Sequence, residues 1–447
     1  MIQSTRRARG GARRLFRALA VAAGVATALP ALGQDVYLVA RQGTVTMPDG
    51  VKVVIWGFAQ DADANLATVG SELPSLPGPV IRVPVGDPTL RIHLRNDLQE
   101  PVSIVINGQD EAVSVATPVW TDGTSSVARP GPAARVRSFT HEAAPNGGTA
   151  VYTWNNLKPG TYLYESGTHP AVQVQMGLYG AMVTDAGTGL AYAGKNYDQD
   201  AILLFSEIDP ALHNAVATHN YGPGTAMTST IDYAPKYWLV NGKPFPATSA
   251  VTMGPGTTLL RLLNAGLDNE SAMLPDGQGE VIAVDGRPLG AGLERYFDAI
   301  PLPAGSTRDV RITVNCPADA GRGLLQGGRL RLSNNGHAPG GMMVNLYRCN
   351  PPVDSDSDGI TDDQDNCLLK ANANQVDTDY DGYGNACDGD FNNNGIVDLG
   401  DIYAFIPMIG THNPNGDFNG NGIVDLADIY AFIPMIGRPV GPSALAP

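Results

Sequence analysis

A segment near the C-terminus occurs twice, almost unchanged, and it limits what this part of the chain can fold into. The first copy starts at Asp390 and reads DFNNNGIVDLGDIYAFIPMIG, and the second starts at Asp417. Each copy has oxygen-bearing side chains at alternate positions, a glycine at position 6 and a carboxylate at position 12. A loop that wraps a hard cation such as Ca²⁺ needs this register, whereas a solvated acidic loop does not. Two such copies indicate a duplicated calcium-binding unit.

The register assigns calcium ligands to positions 1, 3, 5, 7, 9 and 12, with the backbone carbonyl serving at position 7. The predicted ligands are Asp390, Asn392, Asn394, Ile396, Asp398 and Asp401 in the first loop and Asp417, Asn419, Asn421, Ile423, Asp425 and Asp428 in the second. An apolar helix is expected after each of these EF-hand-like loops. Pro407 and Pro434 should end the helices early, because proline lacks a backbone donor and clashes with the preceding turn.

This repeat pair resembles dockerin repeats, in which position 12 is also Asp and a helix follows directly. The resemblance covers residues 388–437. It implies a cohesin partner on another protein or on the cell surface. A purely structural calcium clamp is the alternative.

Upstream of the repeat pair, aspartates alternate through DSDSDGITDDQDNC (354–367) and NANQVDTDYDGYGNACD (372–388). This pattern resembles a thrombospondin type 3 repeat, which would wrap further Ca²⁺ ions along the chain, whereas a disordered acidic linker would lack the period. The expected ligands are Asp354, Asp356, Asp358, Asp362, Asp365, Asp377, Asp379 and Asp381. The segment has almost no apolar core, so metal binding and a Cys367–Cys387 link are expected to drive its folding.

The charge of the chain is concentrated in this C-terminal part. The formal net charge is −15 at pH 7, and residues 351–447 contain sixteen aspartates against only Lys370 and Arg438. Such a balance argues against nucleic acid as a partner. It also calls for counter-cations, which agrees with the calcium loops.

The first 33 residues have the pattern of an export signal. Six arginines precede the apolar residues 19–32 and a small-residue end at Gly33. The apolar stretch is shorter than the roughly 20 residues of a membrane span, so we expect cleavage between Gly33 and Gln34 and no span afterwards. The Arg13-Arg14 pair leaves twin-arginine export open beside the general secretory route. The protein is expected outside the cytoplasm, secreted or at the cell surface.

Four cysteines in an exported chain suggest two disulfides. Three pairings are possible, and the sequence neighbours Cys316–Cys349 and Cys367–Cys387 are the expected pairs. No thiol would then remain free for a metal.

Residues 34–350 consist of short β-branched runs broken by Gly, Pro, Asn and Asp, a pattern that predicts sandwiches or barrels. Several segments resemble multicopper oxidases, among them LPGPVIRVPVGD (76–87), NDLQEPVSIVING (96–108), YWLVNGKPFP (237–246) and PAGSTRDVRITV (303–314). The resemblance implies a mainly β fold with two cupredoxin-like Greek-key sandwiches. The expected domains are 34–192 and 193–350, followed by the type 3-like repeat (351–388), the dockerin-like pair (389–437) and a tail (438–447).

The copper ligands of that family do not carry over to this sequence. Where the resemblance implies His-x-His pairs, the chain has VING (105–108) and YESG (164–167), and its seven histidines are scattered singly. A blue-copper site needs two histidines and a cysteine thiolate. Copper is therefore disfavoured as a cofactor and no catalytic residue is assigned. A weak candidate for a residual transition-metal site combines Glu165, His169 and His141.

These observations favour a secreted calcium-binding scaffold or binding module that is not an enzyme and is tethered through its calcium tail. The alternative is a copper-dependent oxidoreductase of the multicopper oxidase class, with unusual ligands or ligands from a partner. A cell-surface adhesion or polysaccharide-associated module is a further alternative. The copper content of the processed protein separates the first two.

Overall fold

The computed structural model describes residues 33–67, 70, 72–110, 117–274, 279–349 and 353–446. The predicted export signal, residues 1–33, lies outside the described residues apart from Gly33. The fold is mainly β, as the sequence predicted, with two sandwiches followed by a small helical C-terminal region. Over the described ranges, none of the helices combines the length and the apolar character that crossing a membrane requires.

The first sandwich uses ten strands and one short helix. They are β1 Gln34–Thr46, β2 Lys52–Gln60, β3 Ile81–Val83, β4 Thr89–Asn96, β5 Val105–Ile106, β6 Val119–Trp120, β7 Val136–Ser138, β8 Gly148–Asn155, β9 Gly160–Glu165, α1 Pro170–Gln173 and β10 Tyr179–Thr184. Two four-stranded sheets have the orders β2-β1-β4-β8 and β3-β10-β9-β5, and β6 pairs with β7. Strand β1 is parallel to β4, and β3 is parallel to β10.

The strand β4 shows why these segments form a two-layered structure. Its residues Leu90, Ile92 and Leu94 are buried, and the residues between them are partly exposed. This alternation follows from the two-residue period of a strand, which sends successive side chains to opposite faces. The buried set packs with Tyr152 and Trp154 in the core of the first sandwich.

A hairpin of β11 (Leu190–Tyr192) and β12 (Lys195–Asn196) precedes the second sandwich. The strands that follow are β13 Gln199–Ile208, β14 Tyr237–Val240, β15 Lys243–Pro244, β16 Val251–Met253, β17 Gly256–Asn264, β18 Glu270–Met273, β19 Gly279–Val284, β20 Arg287–Pro288, β21 Arg295–Phe297, β22 Ala299–Leu302, β23 Thr307–Val314, β24 Gly321–Gly327 and β25 Met343–Arg348. The sheets have the orders β15-β14-β13-β17-β23-β19-β20, with β21 also on β19, and β16-β25-β24-β18-β22.

The two sandwiches share one topology. In the second, β13 is parallel to β17 and β16 is parallel to β25, which repeats the pairings of β1 with β4 and of β3 with β10. In both, the first strand also pairs antiparallel with the strand that follows it. The same architecture therefore occurs twice in succession along the body.

A buried polar cluster joins the two sandwiches. The guanidinium of Arg261, which is fully buried, lies 2.8 Å from a carboxylate oxygen of Asp185 and 2.7 Å from one of Asp200. The hydroxyl of Thr161 in the first sandwich donates to Asp309 in the second at 2.6 Å. A buried charge that is paired and hydrogen-bonded on several sides fixes the geometry of its neighbours.

A helix of the second half also completes the core of the first. This helix, α2 (Pro210–Ala217), is capped by the side chain of Asp209, which accepts a hydrogen bond from the nitrogen of Ala211 at 2.9 Å. Its Leu212 and Val216 belong to the apolar cluster of the first sandwich. The two sandwiches therefore pack as one body.

The C-terminal region contains two short helices, α3 (Leu399–Phe405) and α4 (Leu426–Phe432). Each is followed by a 3₁₀ turn that contains Pro407 or Pro434, so the prolines end the helices as predicted. A small apolar cluster holds the region together and consists of Val397, Phe405, Phe418, Val424 and Phe432.

This region packs against the β body. The backbone nitrogen of Asp377 donates to the carbonyl of Pro48 at 3.1 Å. The ring of Tyr380 stacks on the imidazole of His337 with 3.7 Å between the ring centroids. The acidic segment thus contacts both the turn between β1 and β2 and the second sandwich.

Candidate functional site

Two groups of three aspartates converge in the acidic segment, Asp354 with Asp356 and Asp358, and Asp377 with Asp379 and Asp381. Within each group, one carboxylate oxygen from each aspartate lies within 4.8 Å of those of the other two. One oxygen of Asp356 is buried without a hydrogen-bond donor. A bound cation would satisfy that oxygen, and oxygen donors are the ligands that Ca²⁺ prefers. The side chains present therefore fit calcium.

A further carboxylate, Asp388, lies beside the second group and was not among the predicted ligands. Burial raises the pKa of Asp388 to about 8, and the nearby carboxylates of Asp381, Asp379 and Asp390 add to the rise. Burial likewise raises the pKa of Asp377 to about 7, with Asp379 and Asp381 contributing. Close, buried carboxylates of this kind are stabilised in the charged form by a divalent cation. The sequence signal that could have identified Asp388 is its place directly after Cys387.

Two predicted ligands of the acidic segment have other partners. The carboxylate of Asp362 accepts hydrogen bonds from the backbone and hydroxyl of Ser355 at 2.6 and 2.7 Å. The buried carboxylate of Asp365 accepts from the backbone of Cys367 and from the side chain of Gln375, both at 2.8 Å. Neither belongs to the two convergent groups, so a role as calcium ligands stays a prediction for both.

The two repeated loops have matching hydrogen bonds. In the first, Asp390 accepts from the nitrogen of Asn394 at 3.1 Å, and the buried Asp401 accepts from the nitrogen of Asp398 at 2.8 Å. In the second loop the bonds of Asp417 and Asp428 repeat this pattern. The position-1 and position-12 carboxylates are thereby held on the inside of each loop.

The remaining predicted ligands of both loops also have defined places. Asp398 and Asp425 each cap the following helix, and the position-12 aspartate completes a capping box. Such caps satisfy the unpaired N–H groups at the start of a helix. The side-chain oxygens of Asn394 and Asn421 accept from the nitrogens of Ile396 and Ile423 at 3.1 and 2.9 Å. Asn392 and Asn419 each donate a backbone hydrogen bond to the position-12 carboxylate.

The surroundings of the two loops differ, although their sequences hardly do. The ammonium nitrogen of Lys52 in the β body lies 3.1 Å from the point where a Cβ on Gly422 would be, whereas no described atom lies within 4 Å of that point on Gly395. The first loop contacts an acidic neighbour instead, because the side chain of Asn393 donates to Asp379 at 3.2 Å.

The repeats also expose equivalent apolar side chains. Leu399 and Tyr403 of α3 are 60% and 67% exposed, and Leu426 and Tyr430 of α4 are 62% and 66% exposed. We call these two surfaces the repeat faces. Exposed apolar patches of this kind mark interaction surfaces more often than isolated residues do.

Both disulfides that the sequence predicted are present. Cys316 is bonded to Cys349, and Cys367 is bonded to Cys387. No cysteine is free, so no thiolate is available as a copper ligand. The first bond closes the end of the second sandwich, and the second ties the acidic segment together.

The two segments that match the His-x-His positions of multicopper oxidases lie side by side. Strand β5 pairs with β9, with Val105 opposite Glu165 and Ile106 opposite Tyr164. Ile106 and Tyr164 are buried, and the Tyr164 hydroxyl donates to the carbonyl of Pro79 at 2.6 Å. The two segments are adjacent, but the buried side chains of Ile106 and Tyr164 offer neither the imidazole nor the thiolate that a blue-copper site needs.

The weak candidate site of Glu165, His169 and His141 does not converge in the structure. The carboxylate of Glu165 accepts from the side chain of Asn107 at 2.7 Å. The imidazole of His141 lies 3.1 Å from the carbonyl of Val151. His169 is the N-cap residue of α1, where its backbone is in the left-handed conformation and its side chain makes no capping hydrogen bond. Among the described residues, only the two aspartate groups bring three His, Cys, Asp or Glu ligand atoms together.

The paired Greek-key sandwiches define a cupredoxin-like body, and comparisons with known proteins agree. The family model described as multicopper oxidase matches residues 61–188. A solved structure of a blue copper oxidase from Nitrosomonas europaea is similar with a TM-score of 0.53 and 19% identity, over 70% of this chain and 85% of that chain. The multicopper oxidase mgLAC is similar with a TM-score of 0.53 and 20% identity, over 72% and 87% of the two chains. At such identities the likeness shows the fold alone.

The C-terminal region is also matched. The model described as thrombospondin type 3 repeat matches residues 349–375 and 376–410, which confirms that resemblance and with it calcium binding by these repeats. The second match includes the first repeated loop, and the dockerin resemblance stays a prediction. None of the curated proteins matches the chain. Disulfides and repeats of this kind are typical of extracellular proteins.

Proposed function

We propose that this protein is an exported calcium-binding scaffold whose cupredoxin-like body is not an enzyme and whose C-terminal region tethers it to a partner. The observation that carries this proposal is the pairing of β5 with β9. Ile106, Asn107, Tyr164 and Glu165 occupy the adjacent segments where a copper cluster would need histidines. All four cysteines also form disulfides, so none of them is free to bind copper.

Metal analysis of the signal-processed protein tests the catalytic part of the proposal. After incubation with copper and removal of loosely bound metal, we expect calcium to be retained, copper to be lost and phenolic compounds to remain unoxidised. One tightly bound copper per chain, together with phenol oxidation, would instead favour the multicopper oxidase function with ligands from a partner.

The tethering part of the proposal is supported by the repeat faces. Their residues are exposed on both helices while the phenylalanines of the same helices are buried. The exposed side chains therefore do not hold the region together. They are instead available to bind a protein partner. The dockerin resemblance suggests a cohesin as that partner.

Purified cohesin modules provide the test, with binding measured in calcium and in EDTA. We expect binding in calcium only, and we expect the double variant Tyr403→Ala/Tyr430→Ala to lose it while still binding calcium. If no cohesin binds the wild-type chain, the repeat pair is a structural clamp and the tether is contradicted.

A further inference from the structure

The second sandwich has an open edge. Strand β22 is the last strand of one sheet, and β20 and β21 lie at the end of the other. Between them is a cavity of about 400 Å³ whose floor is formed by Val281 and Ile300 of the buried core. The walls include the partly buried side chains of Leu289 and Phe297, which pack against the same core. Val281 and Ile300 are only 3% and 0% exposed, so the accessible apolar surface of the cavity belongs to the residues above this floor.

The cavity combines this apolar interior with two positive charges. Arg295 and Arg308 line it, and the described lining residues include no acidic side chain. Arg308 is partly neutralised, because its guanidinium lies 3.2 Å from a carboxylate oxygen of Asp285. Among the described residues, the guanidinium of Arg295 has hydrogen bonds to two backbone carbonyls, those of Leu293 and Glu294, at 3.0 and 3.1 Å.

The position of Arg295 is set by the turn that precedes β21. The nitrogen of Leu293 donates to the carbonyl of Gly290 at 2.9 Å, and the side chain of Glu294 is paired with Lys195. The carboxylate closest in sequence to Arg295 is therefore held by another cation. Over the ranges that the structure describes, no carboxylate forms an ion pair with Arg295. A guanidinium in this position, at the mouth of an apolar cavity, is suited to an anionic ligand.

We propose that this cavity, which we call the edge cavity, binds a small amphipathic anion, a carboxylate attached to a single ring or a medium-length alkyl chain. The apolar part would lie on Leu289, Leu293 and Phe297, and the carboxylate would receive charge-assisted hydrogen bonds from Arg295 at the mouth. The volume lies at the lower end of ligand pockets, which span roughly 300–1,000 Å³. The site is independent of the calcium region and of the copper question.

Three probes with the same alkyl chain test the proposal by calorimetry on the full-length, calcium-saturated protein: decanoate, 1-decanol and decyltrimethylammonium. We expect decanoate to bind with one site per chain, at least tenfold more tightly than 1-decanol, and the cationic probe not to bind. Octanoate should bind roughly tenfold more weakly than decanoate, because two fewer methylene groups are buried.

Variants separate the edge cavity from non-specific surface binding. Arg295→Gln should weaken decanoate binding at least fivefold and leave 1-decanol binding unchanged, and Leu289→Trp should abolish both by filling the cavity. Arg91→Gln removes the same charge from the first sandwich and should change neither. Because Arg295 is exposed, its variant should fold normally even if Leu289→Trp does not. The proposal is overturned by equal binding of the three probes, by several sites per chain, by no binding, or by unchanged decanoate binding in Arg295→Gln.

Discussion

The buried carboxylate of Glu207 shows how one residue can determine how stability depends on pH. One of its oxygens accepts from the nitrogens of Leu267 and Asp268 at 2.6 and 3.0 Å, and the other is buried without a donor. Burial raises the pKa of Glu207 from 4.5 to about 7. The charged form is therefore disfavoured in the folded state by on the order of 3 kcal/mol, at about 1.4 kcal/mol per pKa unit.

The sign of the effect follows from proton binding. Between about pH 4.5 and 7 the unfolded chain has lost this proton while the folded chain retains it, so the free energy of unfolding falls as the pH rises. We expect Glu207→Gln to remove this decline, so that the variant gains stability relative to wild type across that range and not below it. Urea unfolding at constant calcium measures the difference, with the exposed Glu100→Gln as control. Parallel pH profiles of wild type and Glu207→Gln would contradict the prediction.

At the scale of single elements, local patterns were enough to predict the loops and their helices. The alternating oxygens, the glycine at position 6 and the proline that ends each helix lie within 18 residues, from Asp390 to Pro407 in the first copy. The sequence of each copy therefore contains all the relevant information. The strand β4 was predictable for the same reason. The insertion of α2 into the core of the first sandwich was not, because it depends on contacts between Leu212 and residues more than a hundred positions away.

The position-12 carboxylates allow the calcium register to be tested loop by loop. Asp401 is fully buried and holds the nitrogens of Asn392 and Asp398 at 3.2 and 2.8 Å, so it both closes the loop and caps α3. We expect Asp401→Ala to remove one calcium-binding step and to destabilise the C-terminal region by about 1 kcal/mol through the lost cap. Calcium titration by calorimetry measures the first effect.

The matched variants are Asp428→Ala, which should affect the second loop in the same way, and Tyr403→Ala, which should leave calcium binding intact because its side chain is exposed. A calcium titration of Asp401→Ala that is indistinguishable from wild type would show that the assigned register is wrong.

At the scale of the whole molecule, the body and the C-terminal region differ in what holds them together. The body has large apolar clusters in both sandwiches, whereas the C-terminal region has one small cluster and many carboxylates. We therefore expect EDTA to unfold residues 354–437 and leave the β body folded, since a segment with little core depends on metal for its folding free energy. Limited proteolysis and circular dichroism, with and without calcium, check this expectation. Spectra and cleavage patterns that do not depend on calcium would contradict it.

The candidate sites were predictable from the sequence only in part. Ligand order within a loop is local, and the sequence contained it. The convergence of Asp388 with Asp381 depends on how the Cys367–Cys387 link folds the acidic segment back on itself, and the scattering of Glu165, His169 and His141 depends on the packing of separate strands. The edge cavity had no sequence signal, because it arises where the ends of two sheets fail to meet.

The ammonium group of Lys52 lies beside the second loop. We therefore expect the two loops to bind calcium with different affinities, although their sequences are nearly identical. A cation entering the second loop is repelled by this ammonium group, whereas no described atom lies within 4 Å of the equivalent point in the first loop. We expect the first loop to fill at lower calcium concentration, so that the tail reports calcium over a broad range in two stages. Lys52→Gln should bring the stages closer together, and a single stage in the wild-type titration would contradict this. One side chain of the body would thus separate the calcium affinities of two loops whose sequences hardly differ.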